Sequence, residues 1–150
     1  MGIERLSAFL RRHRKVALDT SIFIYQLEAN SRYVALTDRI FAWLEKPGAQ
    51  AVTSTITLTE LLVQPYRESD EERADEYFAL LTTYPNLSWI PPSLPIADLA
   101  ARYRAQHGLR TPDALQAATA VDAAASGLIT NDPVFQRLVE FETLELERIV

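Results

Sequence analysis

The segment 111–132, TPDALQAATAVDAAASGLITND, decides the fold. Thr111 is a favourable N-cap, Pro112 suits the first helical position, and Gly127 suits the left-handed position that follows a last helical turn. Together they predict a helix over about 112–126. Its body is mostly alanine, and such small side chains allow a helix to lie close against a sheet.

Each end of this segment carries a carboxylate at a position where ligand-binding residues are often found. Asp113 lies in the first turn of the predicted helix, where the helix dipole stabilises the ionised form. The run 128–130 is typical of a buried parallel strand, so Asp132 follows the carboxyl end of a strand, where open α/β sheets bind ligands. Asp122 falls on the opposite face of the helix from Asp113, which predicts a solvated side chain.

Composition limits the classes to which the protein can belong. The 150 residues are 48% hydrophobic and 23% charged, which predicts one domain, 1–150, with a substantial core. With no cysteine and two histidines, a thiolate metal site is impossible and oxygen ligands are expected for any metal. The sequence shows neither a signal peptide nor a membrane span, so we expect a cytoplasmic protein. The net charge of −5 argues against nucleic-acid binding over the whole surface.

Helical and strand patterns alternate along the chain. Further helices are predicted at about 3–13, 22–28, 33–46, 70–83, 95–107 and 133–140, with a break at Pro65. Further strands are predicted at about 16–18, 51–53, 87–90 and 144–149, the last as a half-exposed edge strand. This order predicts an α/β fold with a mostly parallel sheet of four to five strands. The basic run 11–15 enters the sheet opposite the acids and is interpreted as a solvated flank.

Four carboxylates occupy comparable positions beside the predicted strands. They are Asp19, Glu60, Asp113 and Asp132. In a parallel sheet they would meet at one edge, where crowded carboxylates repel one another unless a cation neutralises them. Oxygen ligands without histidine or cysteine select Mg²⁺ or Mn²⁺. Such a cluster suits phosphodiester hydrolysis, in which ions bind the phosphate, activate water and stabilise the leaving oxygen.

Polar neighbours of the acids are predicted to orient water or to support the carboxylates. They are Thr20, Ser21, Thr130 and Asn131. Each acid also has a purely structural alternative, because the three aspartates could act as helix caps or first-turn acids. The sequence from Thr57 to Glu60 likewise fits a capping box. The four acids together are more informative than any one of them.

Four pieces of the sequence form a pattern whose order and spacing extend over essentially the whole chain. They are LDTS at 18–21, STITLTELL at 54–62, RTPDALQAATA at 110–120 and LITND at 128–132. In these pieces the chain resembles PIN domains, and within that family the VapC-type ribonuclease toxins of toxin–antitoxin pairs. The resemblance implies a single PIN domain with a three-layer α/β/α sandwich. It also implies a metal-dependent endoribonuclease whose catalytic and metal-binding residues are the four acids.

The same resemblance implies Mg²⁺ as cofactor, with Mn²⁺ able to substitute, and RNA as substrate. It further implies a homodimer and a small cognate antitoxin that covers the active-site groove. Arg110, next to Asp113, is the predicted substrate-binding residue because arginine suits phosphate. Other residues on this approach are more typical of a solvated helix face: Arg102, Arg104 and His107. Aromatic residues that could stack on bases are more typical of a core or subunit interface: Phe23, Tyr25, Trp43 and Trp89.

Alternatives from other functional classes stay open. A catalytically silent PIN-like module could bind RNA or protein, and a small-molecule phosphatase would share the metal chemistry. A receiver-like signalling domain also holds Mg²⁺ with acids at strand ends, but it needs a lysine late in the chain. Lysine occurs only at Lys15 and Lys46, which makes this last alternative the weakest.

Overall fold

A parallel β-sheet forms the centre of the protein, whose computed structural model describes residues 2–150. Its strands are β1 (Lys15–Leu18), β2 (Gln50–Ser54), β3 (Leu87–Ile90), β4 (Gly127–Thr130) and β5 (Glu142–Glu145). They lie in the order β3-β2-β1-β4-β5, and every neighbouring pair is parallel. The prediction of a mostly parallel sheet of four to five strands is therefore confirmed, with β1 in the middle.

Helices cover both faces of this sheet. Within residues 2–150 they are α1 (Gly2–Arg12), α2 (Thr20–Leu27), α3 (Val34–Leu44), α4 (Ile56–Arg67), α5 (Glu71–Thr83), α6 (Leu94–His107) and α7 (Thr111–Asp122). Two short 3₁₀ segments follow at Pro133–Arg137 and Leu146–Arg148. None of the helices in this part of the chain is long and apolar enough to cross a bilayer. The result is a three-layer α/β/α sandwich.

Successive side chains of β1 belong to two different hydrophobic cores. Val16 and Leu18 pack in the core that contains Phe9 and Phe23, on the side of α1 to α5. Ala17 packs in the second core, on the side of α6 and α7. A strand that is buried on both faces is uniformly apolar because successive side chains point to opposite sides. The polar residue that follows it, at position 19, therefore emerges from the middle of the sheet.

Alanine side chains bring α7 close to the sheet and to α6. Ala114, Ala117, Ala118 and Ala120 are each 0% exposed. This confirms the prediction that an alanine-rich helix lies directly on the sheet. The exposed position of Asp122 on the other side of α7 is also as predicted.

The predicted boundaries of α7 were wrong at both ends. Arg110, and not Thr111, occupies the N-cap position, with no side-chain hydrogen bond to the helix. The helix ends at Asp122, and Ala124 takes the left-handed conformation with φ of 60°. Gly127 instead begins β4, where an added Cβ would lie 2.7 Å from Phe9 Cζ. Glycine is needed there because α1 packs against the strand.

Three further boundaries differ from the sequence-based expectation. Pro65 lies inside α4 and does not end it, because its buried ring packs against the protein while only one backbone hydrogen bond is lost. The edge strand β5 ends at Glu145, and the chain continues as a 3₁₀ segment. The predicted helix at 133–140 is the 3₁₀ segment Pro133–Arg137.

Candidate active site

Asp19 leaves the central strand and caps the N-terminus of α2. Its Oδ1 accepts hydrogen bonds from Ser21 N at 3.1 Å and from Ser21 Oγ at 2.6 Å, and its Oδ2 accepts one from Thr130 Oγ1. The residue is only 7% exposed, and this burial raises the pKa of its carboxyl to about 6. The hydrogen bonds from Ser21 and Thr130 oppose the shift, and the charge of Asp132 adds to it. A carboxylate so desolvated is typical of a functional site.

Asp132 is fixed just beyond the end of β4. Its Oδ1 accepts a hydrogen bond from Val134 N at 3.0 Å, so it caps the 3₁₀ segment that follows. Its own backbone N–H donates to Thr130 Oγ1 at 2.9 Å. Because that same hydroxyl donates to Asp19, Thr130 joins the two acids that follow β1 and β4.

Glu60 reaches the site from the second turn of α4. Its Oε1 accepts a hydrogen bond of 2.6 Å from Thr20 Oγ1. Thr20 follows Asp19 directly, so this bond ties the exposed Glu60 to the chain that carries the buried acid. The capping-box alternative for Glu60 is wrong, because Thr55 is the N-cap of α4 and Thr57 lies within the helix.

Asp113 lies in the first turn of α7 with its side chain 16% exposed. Burial raises the pKa of its carboxyl, the guanidinium of Arg110 lowers it, and the charges of Asp132 and Glu60 raise it. Both of these acids are therefore within electrostatic reach of Asp113, and Asp132 also acts on Asp19. The structure brings all four predicted acids into one electrostatically connected group at the carboxyl edge of the sheet.

The chemistry of this group suits a hard cation, but its carboxylates are too far apart to surround one ion as they stand. Its donors are all carboxylate oxygens, the ligands that Mg²⁺ and Mn²⁺ prefer. Within residues 2–150, no three Asp, Glu or His side chains converge closely enough to ligate one ion as they stand. Metal binding therefore requires side-chain movement or bridging water.

A buried polar network behind Glu60 was not predicted. Gln116, 5% exposed, donates from Nε2 to Thr57 Oγ1 at 2.6 Å and accepts at Oε1 from Ser54 N at 3.4 Å. Thr57 Oγ1 lies 2.8 Å from Thr53 Oγ1 and 3.2 Å from Thr20 Oγ1. Thr53 donates its hydroxyl hydrogen to Leu18 O, and Thr20 donates its own to Glu60. Thr57 has a single hydroxyl hydrogen, so it can donate to Thr53 or to Thr20 but not to both.

One sequence signal could have revealed this network. Gln116 is three residues beyond Asp113, a spacing that places both side chains on the same face of α7. A glutamine among alanines on a helix face that packs against a sheet must find buried partners. Those partners are the Thr57 hydroxyl and the Ser54 backbone N–H, and Thr53 lies next to Thr57.

The supporting residues predicted around the acids have different partners. Ser21 and Thr130 contact Asp19, whereas the Asn131 amide does not contact the four acids. Asn131 Nδ2 donates to Tyr25 Oη at 2.9 Å, and its Oδ1 accepts from Glu147 N at 2.8 Å. Asn131 thus joins α2 to the C-terminal segment at the rim of the site.

The three arginines on the approach to Asp113 are all exposed, but only Arg110 contacts an acid of the site. Arg110 Nε lies 3.3 Å from Asp113 Oδ2, and its side chain is 78% exposed. Arg102 pairs with Asp98 one turn earlier in α6, and Arg104 Nε donates to Leu109 O at 3.1 Å. Arg110 is the arginine that both contacts an acid of the site and extends into solvent.

The fold and the acids define an α/β protein with a carboxylate site at the carboxyl edge of a parallel sheet. The PIN domain family model matches residues 16–140, and the chain belongs to that family. No curated protein sequence matches the chain.

Several solved structures are similar over most of the chain. A toxin–antitoxin complex from Klebsiella pneumoniae has 25% identity and a TM-score of 0.64, covering 87% of this chain and 97% of that one. VapBC2 from Rickettsia felis, bound to a promoter DNA fragment, has 18% identity and a TM-score of 0.69, covering 87% and 98%. The Mycobacterium tuberculosis toxin VapC20, which cleaves the Sarcin-Ricin loop, has 19% identity and a TM-score of 0.64, covering 85% and 98%.

Proposed function

We propose that the protein is a metal-dependent endoribonuclease that hydrolyses RNA phosphodiester bonds and is the toxin of a toxin–antitoxin pair. The observation that carries the proposal is the connected group of Asp19, Glu60, Asp113 and Asp132 at one sheet edge. Burial of Asp19 supports it further, because a desolvated carboxylate with no arginine or lysine paired to it in residues 2–150 favours a bound cation.

Each acid has a role in this proposal that follows from how it is held. Mg²⁺ or Mn²⁺, when bound, supplies phosphate binding, activation of water and stabilisation of the leaving oxygen. Asp19 is the fixed ligand, since both of its carboxylate oxygens accept hydrogen bonds. Asp113 and Asp132 would supply further carboxylate ligands to the ion. Glu60, exposed and held by one hydroxyl, can turn to hold a water molecule or accept its proton.

Arg110 completes the proposed site as the residue that binds a substrate phosphate. Its guanidinium lies beside Asp113, so a phosphate held there would be next to the acids. A planar guanidinium can donate two parallel hydrogen bonds to phosphate oxygens. The supporting residues hold the acids and the rim of the site in place by hydrogen bonds. They are Thr20, Ser21, Thr130 and Asn131.

A groove beside Glu60 suits the proposed antitoxin. It has a volume of about 470 Å³ and lies between α2, α4 and α5. Its wall combines apolar side chains, such as Leu61 and Tyr77, with the acids Glu28 and Glu60, while Glu68 is already paired with Arg73. A segment with apolar residues and a basic residue would complement it, and an antitoxin bound there would cover Glu60. The toxin–antitoxin complexes among the similar structures support a partner of this kind.

Cleavage of RNA by the purified protein tests the enzymatic part of the proposal. Total RNA and a panel of tRNAs would be incubated in Mg²⁺ or Mn²⁺, with a chelator and Asp19→Asn as negative controls. Asp122→Asn is the matched control, because Asp122 is an exposed aspartate on the opposite face of α7. We expect discrete fragments that disappear with the chelator and with Asp19→Asn only. Intact RNA with folded, antitoxin-free protein in all lanes would favour a module that binds without cutting.

Growth of a bacterial host tests the toxin part. Induced expression is expected to arrest growth, and Asp113→Asn is expected to restore it while the protein accumulates to the same level. Arrest by both forms would attribute toxicity to binding and not to catalysis. We also propose that the protein is cytoplasmic and forms a homodimer of single PIN domains, each covering 1–150. Light scattering of the purified protein would test the dimer, and fractionation of the host cell would test the location.

A further inference from the structure

A second groove lies between α1 and α3, away from the acids. Its volume is about 400 Å³, and α1 precedes residue 16, where the match to the PIN family begins. The end of α1 leads into the start of β1, and the end of α3 leads into the start of β2. The groove is therefore at the amino edge of the sheet, opposite the carboxyl edge that carries the acids.

The charged side chains that line this groove are all cationic. They are Arg11 from α1, and Arg39 and Lys46 from α3 and the turn after it. In residues 2–150 none of the three has an ion-pair or hydrogen-bond partner, whereas the neighbouring Arg12 pairs with Glu142. A protein with a net charge of −5 thus has a local positive site without internal compensation.

The acids near this groove face other parts of the molecule. Asp38 accepts a hydrogen bond of 2.9 Å from Gln26 on α2. Burial raises the pKa of Tyr84, and the charges of Asp38 and Glu45 add to the shift, so both acids are near Tyr84 at the end of α5. Glu4, on α1, is not among the lining residues.

Trp43 gives the groove an aromatic wall. Arg39 and Trp43 are four residues apart and share one face of α3, and Lys46 follows in the turn after the helix, so a guanidinium, an indole and an ammonium line the groove together. Trp43 is half-buried and packs against the first core with part of its ring. Its indole offers a surface for stacking, which is sequence-tolerant because every base has a π face. Ser7 adds a hydroxyl on the α1 side.

We propose that this groove binds a nucleotide unit, with its phosphate between Arg11, Arg39 and Lys46 and its base on Trp43. Arginine forks and a lysine ammonium are the side chains that proteins use for phosphate. The ligand is either a free mononucleotide or one nucleotide of a single-stranded RNA, since both present the same phosphate and base. The site is separate from the acids, so this proposal does not depend on the nuclease activity.

Binding would be measured in EDTA with the Asp19→Asn protein, so that no RNA is cut. AMP, inorganic phosphate and an oligoadenylate of about eight nucleotides would be titrated, with tryptophan fluorescence and calorimetry as readouts. Trp43→Leu assigns the fluorescence change, because Trp89 is the other tryptophan. The test variant is Arg39→Gln with Lys46→Gln. The matched control is Arg67→Gln with Arg102→Gln, which removes two exposed cations outside the groove.

We expect AMP or the oligonucleotide to bind saturably and to quench Trp43, with affinity at least about tenfold weaker in the test variant and unchanged in the control. AMP binding identifies a mononucleotide site, and binding of the oligonucleotide alone identifies an RNA strand; either outcome supports the proposal. No binding, or equal losses in the test and control variants, overturns it. Phosphate that binds as tightly as AMP also overturns it, because the base would then contribute nothing. Loss of binding to Trp43→Leu with an unchanged melting temperature excludes simple misfolding.

Discussion

The two acids that follow strands and the two acids on helices are held in different ways. Asp19 and Asp132 each accept a hydrogen bond from the backbone N–H two residues later, so a local turn fixes each carboxylate. Glu60 and Asp113 are held by side chains, a threonine hydroxyl at 2.6 Å and an exposed guanidinium at 3.3 Å. The strand acids are the rigid half of the site, and the helix acids are its adjustable half.

This difference indicates a division of labour. Asp19, buried and bonded at both oxygens, cannot easily change its position, so it would determine where an ion binds. Glu60 and Asp113 would therefore make most of the movement that ion binding requires, because each is held by a single side-chain contact. If the division is real, substitutions in the rigid half reduce RNA cleavage more than substitutions in the adjustable half.

The largest expected effect is that of Asp19→Asn on RNA cleavage. Asparagine keeps the shape and the acceptor for Ser21 but removes the charge, so cleavage should fall on the order of 10³-fold. Initial rates on one RNA substrate, compared with Asp122→Asn and wild type, measure it. A rate for Asp19→Asn within about tenfold of wild type would show that the rigid half does not define the ion site.

The contribution of Asp19 to the stability of the metal-free protein should depend on pH in the opposite sense to ordinary acid denaturation. The pKa of Asp19 is about 6 when folded, raised from 3.8, so between these values the folded state binds more protons than the unfolded chain. This contribution is therefore greatest below about pH 4, falls as the pH rises toward 6 by up to about 3 kcal/mol, and is then level. The raised pKa of Asp113 acts in the same direction. The lowered pKa values of Glu68, Glu142 and Glu147 act in the opposite direction. The contribution of Asp19 is therefore isolated by comparing wild type with Asp19→Asn.

Urea unfolding in EDTA across this pH range measures that effect. Asp19→Asn should lose most of the decrease and be more stable than wild type at pH 7. Addition of Mg²⁺ at pH 7 should stabilise wild type and not the variant, because an ion bound only to the folded state adds to its stability. Equal pH profiles for the two proteins would contradict the assignment of the decrease to Asp19.

The rigid half of the site was also the half that the sequence predicted best. Asp19 and Asp132 follow apolar strands and precede helical turns, so their positions depend on local patterns that can be identified by eye. The parallel sheet, the helix order and the four acids followed from the same patterns. Arg110 as N-cap and Pro65 within a helix were missed, since both depend on packing that overrides local preference.

What the sequence did not predict comes from contacts between distant parts of the chain. Thr57 and Gln116 are 59 residues apart and meet only because α4 and α7 pack at the same end of β2. The glycine at 127 was assigned to a helix end because its true role, contact with Phe9 on α1, has no local signature. Thr20 was predicted to support the acids, but its partner Glu60, on a different helix, was not.

A smaller effect is expected from Thr20→Val, which disturbs the adjustable half. Valine removes the hydrogen bond to Glu60 with little change in shape, so Glu60 would sample more orientations. We expect cleavage to fall by about tenfold, with a free energy of unfolding within about 1 kcal/mol of wild type. Rescue by Thr20→Ser, which restores a hydroxyl, would separate positioning of Glu60 from a loss of packing. Failure of serine to rescue would contradict this role.

The smallest effect should come from Arg110→Gln. Its pair with Asp113 is exposed and contributes little to stability, so the melting temperature should not change. If the guanidinium binds one RNA phosphate, the KM for RNA should rise by about threefold while kcat is nearly constant, and the slope of log KM against log salt should decrease by about 0.7.

Arg102→Gln is the matched control, because Arg102 is an exposed arginine of α6 that pairs with Asp98 and has no contact with the acids. A change in kcat without a change in KM or in the salt slope would show that Arg110 acts through the carboxylate of Asp113. In that case Asp113 would be less adjustable than its long contact with an exposed guanidinium suggests, and the contrast between the two halves of the site would be smaller. A change in KM alone would instead indicate separate roles, with Asp113 binding the ion and Arg110 binding the RNA.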